Sequence, residues 1–317
     1  MASNAPGLPA VYASRPATPD DVSELAEVSR RYDLALGLRP DNAASFLGWI
    51  MQLPYIDLPD DSIVIVGGGA VVGFALATRD PASEGSALHW FGIVDPEHRG
   101  RSLGSSLLGW AARRAQERAE SEGAFALRTM CPAPDAAARE LFASAGYAHI
   151  RTVWDMHRDL PHDASAGTLP EGVTIRTFQT GRDERTFWQV SEAAFEGHFG
   201  MTPSPYESWE GEWYRSVDWN PDRVVLAESD GQVIGELAWI DAMPDGYIAS
   251  LGVLEAYRGR GIARALLRRA FADIAQAGFA SVTLSVDTEN ATGAVGLYRS
   301  VGMEPVREAH VFERESS

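Results

Sequence analysis

A chain of 317 residues with 45% hydrophobic and 22% charged residues is long enough for two packed domains of roughly 100–200 residues, and its composition excludes a disordered or fibrous protein. Its net charge of −17 works against polyanions, so nucleic acid and anionic membrane surfaces are not expected as partners and a cationic substrate is favoured. The single cysteine, Cys131, excludes an internal disulfide and reads as a small buried hydrophobe. No apolar run reaches the roughly 20 residues of a spanning helix, and Met1–Pro9 lacks the basic start of a secretory signal, so a cytoplasmic location is expected.

The chain then reads as one pattern written twice. Ser14-Arg-Pro-Ala-Thr18 suggests a short strand leading through a polar turn into an amphipathic helix. Further on, Arg99-Gly-Arg-Ser-Leu-Gly104 is a glycine-containing turn. Phe125–Met130 reads as a strand, followed by Pro132-Ala-Pro-Asp135, a helix, and Gly146 as its stop. Pro161–Pro170 carries Pro, Ser and Gly without an apolar period and reads as a linker. Beyond it the order returns: Ile175–Phe178 as the opening strand, then Ile248–Val253 as a strand and Glu255–Ala263 as a turn. The helix that follows repeats apolar residues at Ile262, Leu266, Ala270 and Ile274. Ser281–Val286 alternates like a half-buried strand, Asp287–Asn290 opens a helix, and Gly302 closes it. Strands alternating with helices in both halves give an α/β architecture. The expected domains are 1–160 and 172–317, joined by 161–171.

The turn before the long helix of the second half has the most chemistry in it. A helix start presents unpaired N–H groups and the positive end of the helix dipole, a ready site for phosphate. Gly259 and Gly261 permit backbone angles that other residues resist, and Arg258, Arg260, Arg264, Arg268 and Arg269 cluster there in an otherwise acidic chain. An ordinary exposed turn beside a solvated helix face would also account for these residues. Arg258-Gly-Arg-Gly-Ile-Ala263, however, resembles the (Q/R)-x-x-G-x-(G/A) signature of the GNAT acetyltransferases, and the order strand, turn, helix, strand, Asn290, Tyr298 is that family's order. The tandem arrangement is similar to that of mycothiol synthase and related actinobacterial two-domain acetyltransferases.

The resemblance implies two tandem domains, each a mixed twisted sheet flanked by helices, and acetyl-CoA as co-substrate. It implies that Arg258, Gly259, Arg260, Gly261, Ile262, Ala263 and Arg264 hold the coenzyme pyrophosphate. It further implies that the backbone of Leu251, Gly252 and Val253 holds the pantetheine arm and the acetyl carbonyl, that Asn290 helps hold the coenzyme, and that Tyr298 protonates the departing thiolate. On position alone Tyr298 could equally be an aromatic packing between helix and sheet.

Aligning the closing glycines sets an offset of 156 residues, which pairs Tyr298 with Phe142 and Asn290 with Pro134. The first copy also carries Ser102 where the signature has glycine, so it is expected to be catalytically silent. Relatives place a glutamate on the strand before the turn, where this chain has Tyr247. The general base therefore stays open between Glu236 and Asp241, although a solvated strand-edge charge is the commoner role for either. The segment Ala193–Gly200 resembles the acceptor-facing region of the tandem relatives, which makes Glu196, His198 and Tyr247 candidate substrate contacts; His198 could as well simply end a helix. Trp209, Trp213 and Trp219 read as core or pocket wall. No spacing suggests a metal site. The leading function is acetyl transfer to a small molecule's primary amine without a covalent intermediate; a longer acyl group, or a coenzyme A sensor without turnover, remain the alternatives.

Overall fold

The computed structural model describes residues 5–40, 43–53, 55–79, 87–123, 125–161, 169–201, 203–211, 219–242, 244–290 and 292–315. The chain divides into two compact units, one built from residues 1–81, 85–152 and 309–317, the other from 82–84 and 153–308.

In the first unit, strands β1 (Tyr12–Arg15), β2 (Ser62–Gly67), β3 (Ala70–Thr78), β4 (Leu88–Val94) and β5 (Ala126–Pro132) form a sheet in that order. Between them run α1 (Val22–Ala35), α2 (Ala43–Ile50), α3 (Leu58–Asp61), α4 (Leu103–Glu122) and α5 (Ala136–Ser144). Alternation along β3 explains the layering. Val72, Ala75 and Ala77 join Leu103, Leu107 and Trp110 of α4 in one core, whereas Val71, Phe74 and Leu76 join Leu25 and Val28 of α1 in the other. A strand apolar on both faces needs cover on both, and the helices supply it.

Strand β6 (Ala148–Asp159) leads on to the second unit, which contains β7 (Thr174–Thr177), α6 (Glu184–Phe195), α7 (Tyr206–Trp209), β8 (Val224–Ser229), β9 (Gln232–Ala242), β10 (Asp245–Val253), α8 (Ile262–Gln276), β11 (Ser281–Asp287) and α9 (Ala294–Ser300), with β12 (Glu304–Glu315) last. Its sheet runs from residues 153–159 of β6 through β11, β10, β9 and β8 to β7. Ile234, Leu237 and Trp239 of β9 face a core shared with α8, while Val233 and Ala238 face one shared with α6 and α7. The repeat extends to single contacts. Arg15 grips Asp21 at 2.6 and 2.7 Å, and Arg176 grips Asp183 through both guanidinium nitrogens, in each case fastening the first strand to the start of the first helix.

The contact-defined units do not coincide with the boundary expected from sequence. Residues 153–159 pair with β11 in the second unit, and residues 309–315 pair antiparallel with β5 in the first. Each half thus gives a strand to the other unit. Alternation reveals that a segment is a strand but not which strand it pairs with, and this is why composition pointed to 161–171. Residues 162–168 of that expected linker lie outside the described residues. Among the described residues no helix is long and apolar enough to cross a membrane, and no His, Cys, Asp and Glu cluster could hold a metal ion.

Candidate active site

The site begins where two parallel strands part. β10 pairs with β11 only at Gly246–Val282 and Tyr247–Thr283, whereas its pairing with β9 continues to Val253. A bulge between Ile248 and Ser250 accompanies the change. Residues 248–253 therefore keep one hydrogen-bonded edge and turn the other toward the gap. Leu251 and Val253 pack toward the α8 core, while Gly252 lies against α6.

At the end of β10 the chain enters the arginine-glycine turn. Gly259 and Gly261 take φ of 75° and 82°, and a Cβ on either would meet nothing closer than 3.9 Å. Backbone conformation, not lack of room, demands glycine here. Gly261 is the N-cap of α8 and contributes no side-chain hydrogen bond, so the first turn of the helix presents bare amides. Arg258 braces this end of the site: its guanidinium donates to the Val253 carbonyl at 3.1 Å and the Ala194 carbonyl at 2.8 Å, tying β10 to α6. The exposed Arg264 and Arg268 follow on α8, and Arg269 is taken up by Asp273 at 2.9 Å.

A cavity of about 400 Å³ fills the gap. Leu251, Gly252 and Val253 form one wall, and the turn from Arg258 to Arg264, Arg260 excepted, forms one end. Asn290 and Tyr298 line it from the α9 side, and Phe195 and His198 from the end of α6. The Asn290 side-chain oxygen accepts from the Thr292 amide and hydroxyl at 2.9 and 2.6 Å, holding the approach to α9. The Nδ1 of His198 is buried without a hydrogen-bond partner, and its ring stands edge-on to Phe195 at 5.4 Å.

Behind Gly252 lies a buried carboxyl. Glu236, opposite Gly252 on β9, is 0% exposed; Ser250 Oγ donates to its Oε1 at 2.7 Å, and its Oε2 has no partner. Burial pushes its pKa up to about 7, against a small opposing pull from Ser250. Burial, then the charges of Tyr247 and Glu236, push Tyr298 up to about 12. A Cβ on Gly252 would fall 2.8 Å from both Glu236 Oε1 and Ala194 Cβ. Gly252→Ala is accordingly expected to cost about 1–3 kcal/mol by overpacking between α6 and the sheet, read as a lower midpoint in denaturant unfolding.

Comparison with known proteins agrees with this geometry. The Acetyltransferase (GNAT) family model matches residues 25–147 and 187–303, once in each unit. The chain belongs to the GNAT acetyltransferase family. A mycothiol acetyltransferase from Thermomonospora curvata is 32% identical over 76% of this chain and 78% of its own length, and one from Thermobispora bispora is 31% identical over 90% and 93%. The crystal structure of a GCN5-related N-acetyltransferase from Sphaerobacter thermophilus superposes with a TM-score of 0.85 at 30% identity, covering 98% of this chain and 97% of that one.

In this GNAT enzyme several sequence candidates stand outside the cavity. Arg260 turns back onto the Ala256 carbonyl at 3.1 Å and over the Tyr257 ring. Asp241 is exposed and paired with Arg223 at 2.9 Å, the solvated strand-edge charge that the sequence also allowed. Glu196, the exposed C-cap residue of α6, does not line the cavity either. Tyr247 is half-buried on β10, opposite Thr283 of β11, and does not line the cavity wall. Trp209 and Trp219 pack with Phe187, as wall and core; Trp213 lies outside the described residues. Ser250 was missed by sequence reasoning, although strand alternation with Gly252 places it on the Glu236 side.

The matching region of the first GNAT unit is built differently. Ser102 takes the left-handed conformation of Gly261, with φ of 60°, so the turn keeps its backbone conformation with serine in the place of glycine. Its arginines are engaged within the unit: Arg99 with Asp135 at 2.8 Å, which Tyr32 also reaches, and Arg101 with the Tyr12 hydroxyl at 3.1 Å. Phe142 is buried among Trp90, Tyr147 and Phe312 at centroid distances of 5.4–5.9 Å. Cys131 is buried, its thiol pushed up to about 12, and so suited to packing rather than nucleophilic attack.

Proposed function

We propose that the second unit transfers acetyl from acetyl-CoA to the primary amine of a small molecule by direct attack in a ternary complex, with one coenzyme bound per chain. The observation that carries this reading is the fully buried Glu236 carboxyl lying against Gly252 of a one-edged strand, with Gly252 and Tyr298 both lining the cavity.

The bare amides at the start of α8, the left-handed glycine turn and the exposed Arg264 and Arg268 suit a diphosphate. The free edge of β10 suits the pantetheine arm, and backbone N–H groups near Val253 suit the oxyanion that forms as the amine attacks. An alkylammonium with a pKa near 10.4 costs about 4–5 kcal/mol to deprotonate at pH 7, so a base is required. Glu236, ionised above about pH 7, takes that proton through Ser250 or a water. Nitrogen bonds to the acetyl carbon, the carbon–sulfur bond breaks, and Tyr298 gives its proton to the departing thiolate. His198, with its unpartnered Nδ1, faces the acceptor, whose positive charge suits an acidic protein. The balance of charge and the absence of an apolar membrane segment among the described residues fit a cytoplasmic enzyme.

Steady-state thiol release with an amine panel tests the reaction, and coenzyme binding without turnover across a broad panel would overturn it in favour of a sensor. Competition with longer acyl-coenzymes fixes the donor. Calorimetric titration with acetyl-CoA is expected to give a stoichiometry near one, because the first unit's helix carries Ser105 and Gly109 at the positions of Arg264 and Arg268 and an aromatic cluster occupies the place of Tyr298. Two equal sites would refute that.

A further inference from the structure

Tyr298 reaches the cavity from α9, a helix of seven residues that begins at the left-handed Gly293 without a side-chain cap. A helix shorter than roughly 12 residues is marginal on its own, so the place of the Tyr298 hydroxyl depends on what fastens α9 from outside.

The helix ends in a two-bond closing turn. The Met303 amide donates to the Tyr298 carbonyl at 3.1 Å and the Gly302 amide to the Arg299 carbonyl at 3.0 Å, with Gly302 left-handed at φ of 80°. The Val301 amide also donates to the Tyr298 carbonyl, at 3.1 Å. Arg158 of β6 takes the next carbonyl: its Nη1 donates to the Val301 oxygen, and its guanidinium lies over the Phe271 ring of α8, 4.9 Å from the centroid. Strand alternation places Trp154 and the fully buried Met156 on the same face of β6 as Arg158. The Trp154 ring stacks with Arg299 at 5.3 Å, and its Nε1 donates to Glu308 at 2.9 Å. One strand face thus holds α9 at the residue after Tyr298 and at the peptide three residues on.

The first unit repeats the brace at the same offset of 156 residues. Arg314 of β12 donates to the Ala145 carbonyl at 3.1 Å, at the end of α5, and lies over the Tyr147 ring at 5.0 Å. The brace belongs to the fold; what it holds differs, a buried Phe142 in one unit and a cavity-lining Tyr298 in the other.

We infer that Arg158 is a positioning residue for acetyl transfer, fixing the Tyr298 hydroxyl at the departing sulfur through the hydrogen bonds that join Val301 to Tyr298. It touches none of the reacting atoms. Without the brace α9 stays packed but its C-terminal turn shifts, and a hydroxyl misplaced by about 1 Å transfers its proton poorly. The inference rests on the reading of Tyr298 as the proton donor to the thiolate.

The test measures thiol release by the full chain in wild type, Arg158→Met, Arg158→Lys, Tyr298→Phe, the Arg158→Met/Tyr298→Phe pair and Arg314→Met. Arg158→Met keeps an apolar stem against Phe271 and is expected to lower kcat about tenfold, with KM for acetyl-CoA within about twofold of wild type. The loss should shrink with acetyl thioesters of more acidic thiols, and the double variant should be no slower than Tyr298→Phe alone. Arg158→Lys keeps a charged donor without the flat stack, so it should fall between, and it carries the thioester series if Arg158→Met does not fold. Arg314→Met removes the same brace from the first unit and should lower the melting temperature by a similar amount while keeping the wild-type kcat. A wild-type kcat in Arg158→Met, a loss equal across the thioesters, a loss that multiplies with that of Tyr298→Phe, or an equal kinetic loss in Arg314→Met overturns the positioning role. A wild-type rate in Tyr298→Phe alone refutes the proton-donor reading itself and takes the role of Arg158 with it.

Discussion

Glu236→Gln is expected to lower kcat/KM by about 10²–10⁴-fold, the range for loss of a general base, while leaving acetyl-CoA affinity close to wild type and making the protein more stable above pH 7. The two halves of that result have one cause. Burial lifts this carboxyl from an ordinary 4.5 to about 7, so between those values the folded state holds a proton that the unfolded state has lost. Its contribution to stability is fully present below about pH 4.5 and is lost as pH rises through about 7. Some 2.5 units correspond to about 3 kcal/mol of cost for the buried carboxylate at pH 8, and a neutral amide removes much of it. Because the buried amide also needs partners, a net gain of roughly 1–3 kcal/mol is expected at pH 8 and little at pH 5. Thermal melts at the two pH values check the stability half. For activity the sign is opposite: the ionised form is the base, so the wild-type rate should climb through about pH 7, and that limb should vanish in the variant. A variant with an unchanged rate would leave Glu236 a purely structural group.

Some of this site could be read from the chain because its requirements are local. A left-handed turn needs Gly259 and Gly261 whatever the rest of the fold does, and the apolar repeat from Ile262 to Ile274 fixes which face of α8 is buried. The base could not be read in the same way. Glu236 and Asp241 occupy one strand, yet one is entirely buried and the other half-exposed and paired with Arg223. What separates them is the cover that α6 gives to one end of β9, which depends on packing between distant segments. The pairing of Ser285 with Asp155 across β11 and β6 was invisible for a stronger reason. They meet only because residues 153–159 pair with β11, a partnership that no periodicity encodes. The first unit teaches the reverse lesson: Ser102 breaks the glycine pattern without breaking the turn, and the difference between the units lies instead in Ser105 and Gly109, which stand where α8 has Arg264 and Arg268, and in the buried Phe142.

Tyr298→Phe is expected to lower kcat by about 10²-fold or more with little change in coenzyme affinity or stability. Folding should survive because the first unit carries Phe142 at the corresponding helical position and packs it fully. The size of the kinetic effect follows from the proton's energetics. A phenol at about 12 stays protonated across the working pH range, so the donor is always loaded. Against an ordinary thiol near 8.5, however, its proton moves uphill by roughly 3.5 units, or about 5 kcal/mol. Transfer becomes favourable only as the thiolate forms in the same buried cleft, where desolvation raises its basicity as well. The loss caused by Tyr298→Phe should therefore depend on the leaving group. With an acetyl thioester whose thiol is more acidic, the thiolate departs without a proton and the variant should approach wild type; with the coenzyme itself the gap should be widest. Rates for a series of acetyl thioesters give the slope directly. An equal loss across the series would mean that the hydroxyl orients the coenzyme, and that the proton reaches sulfur by another route.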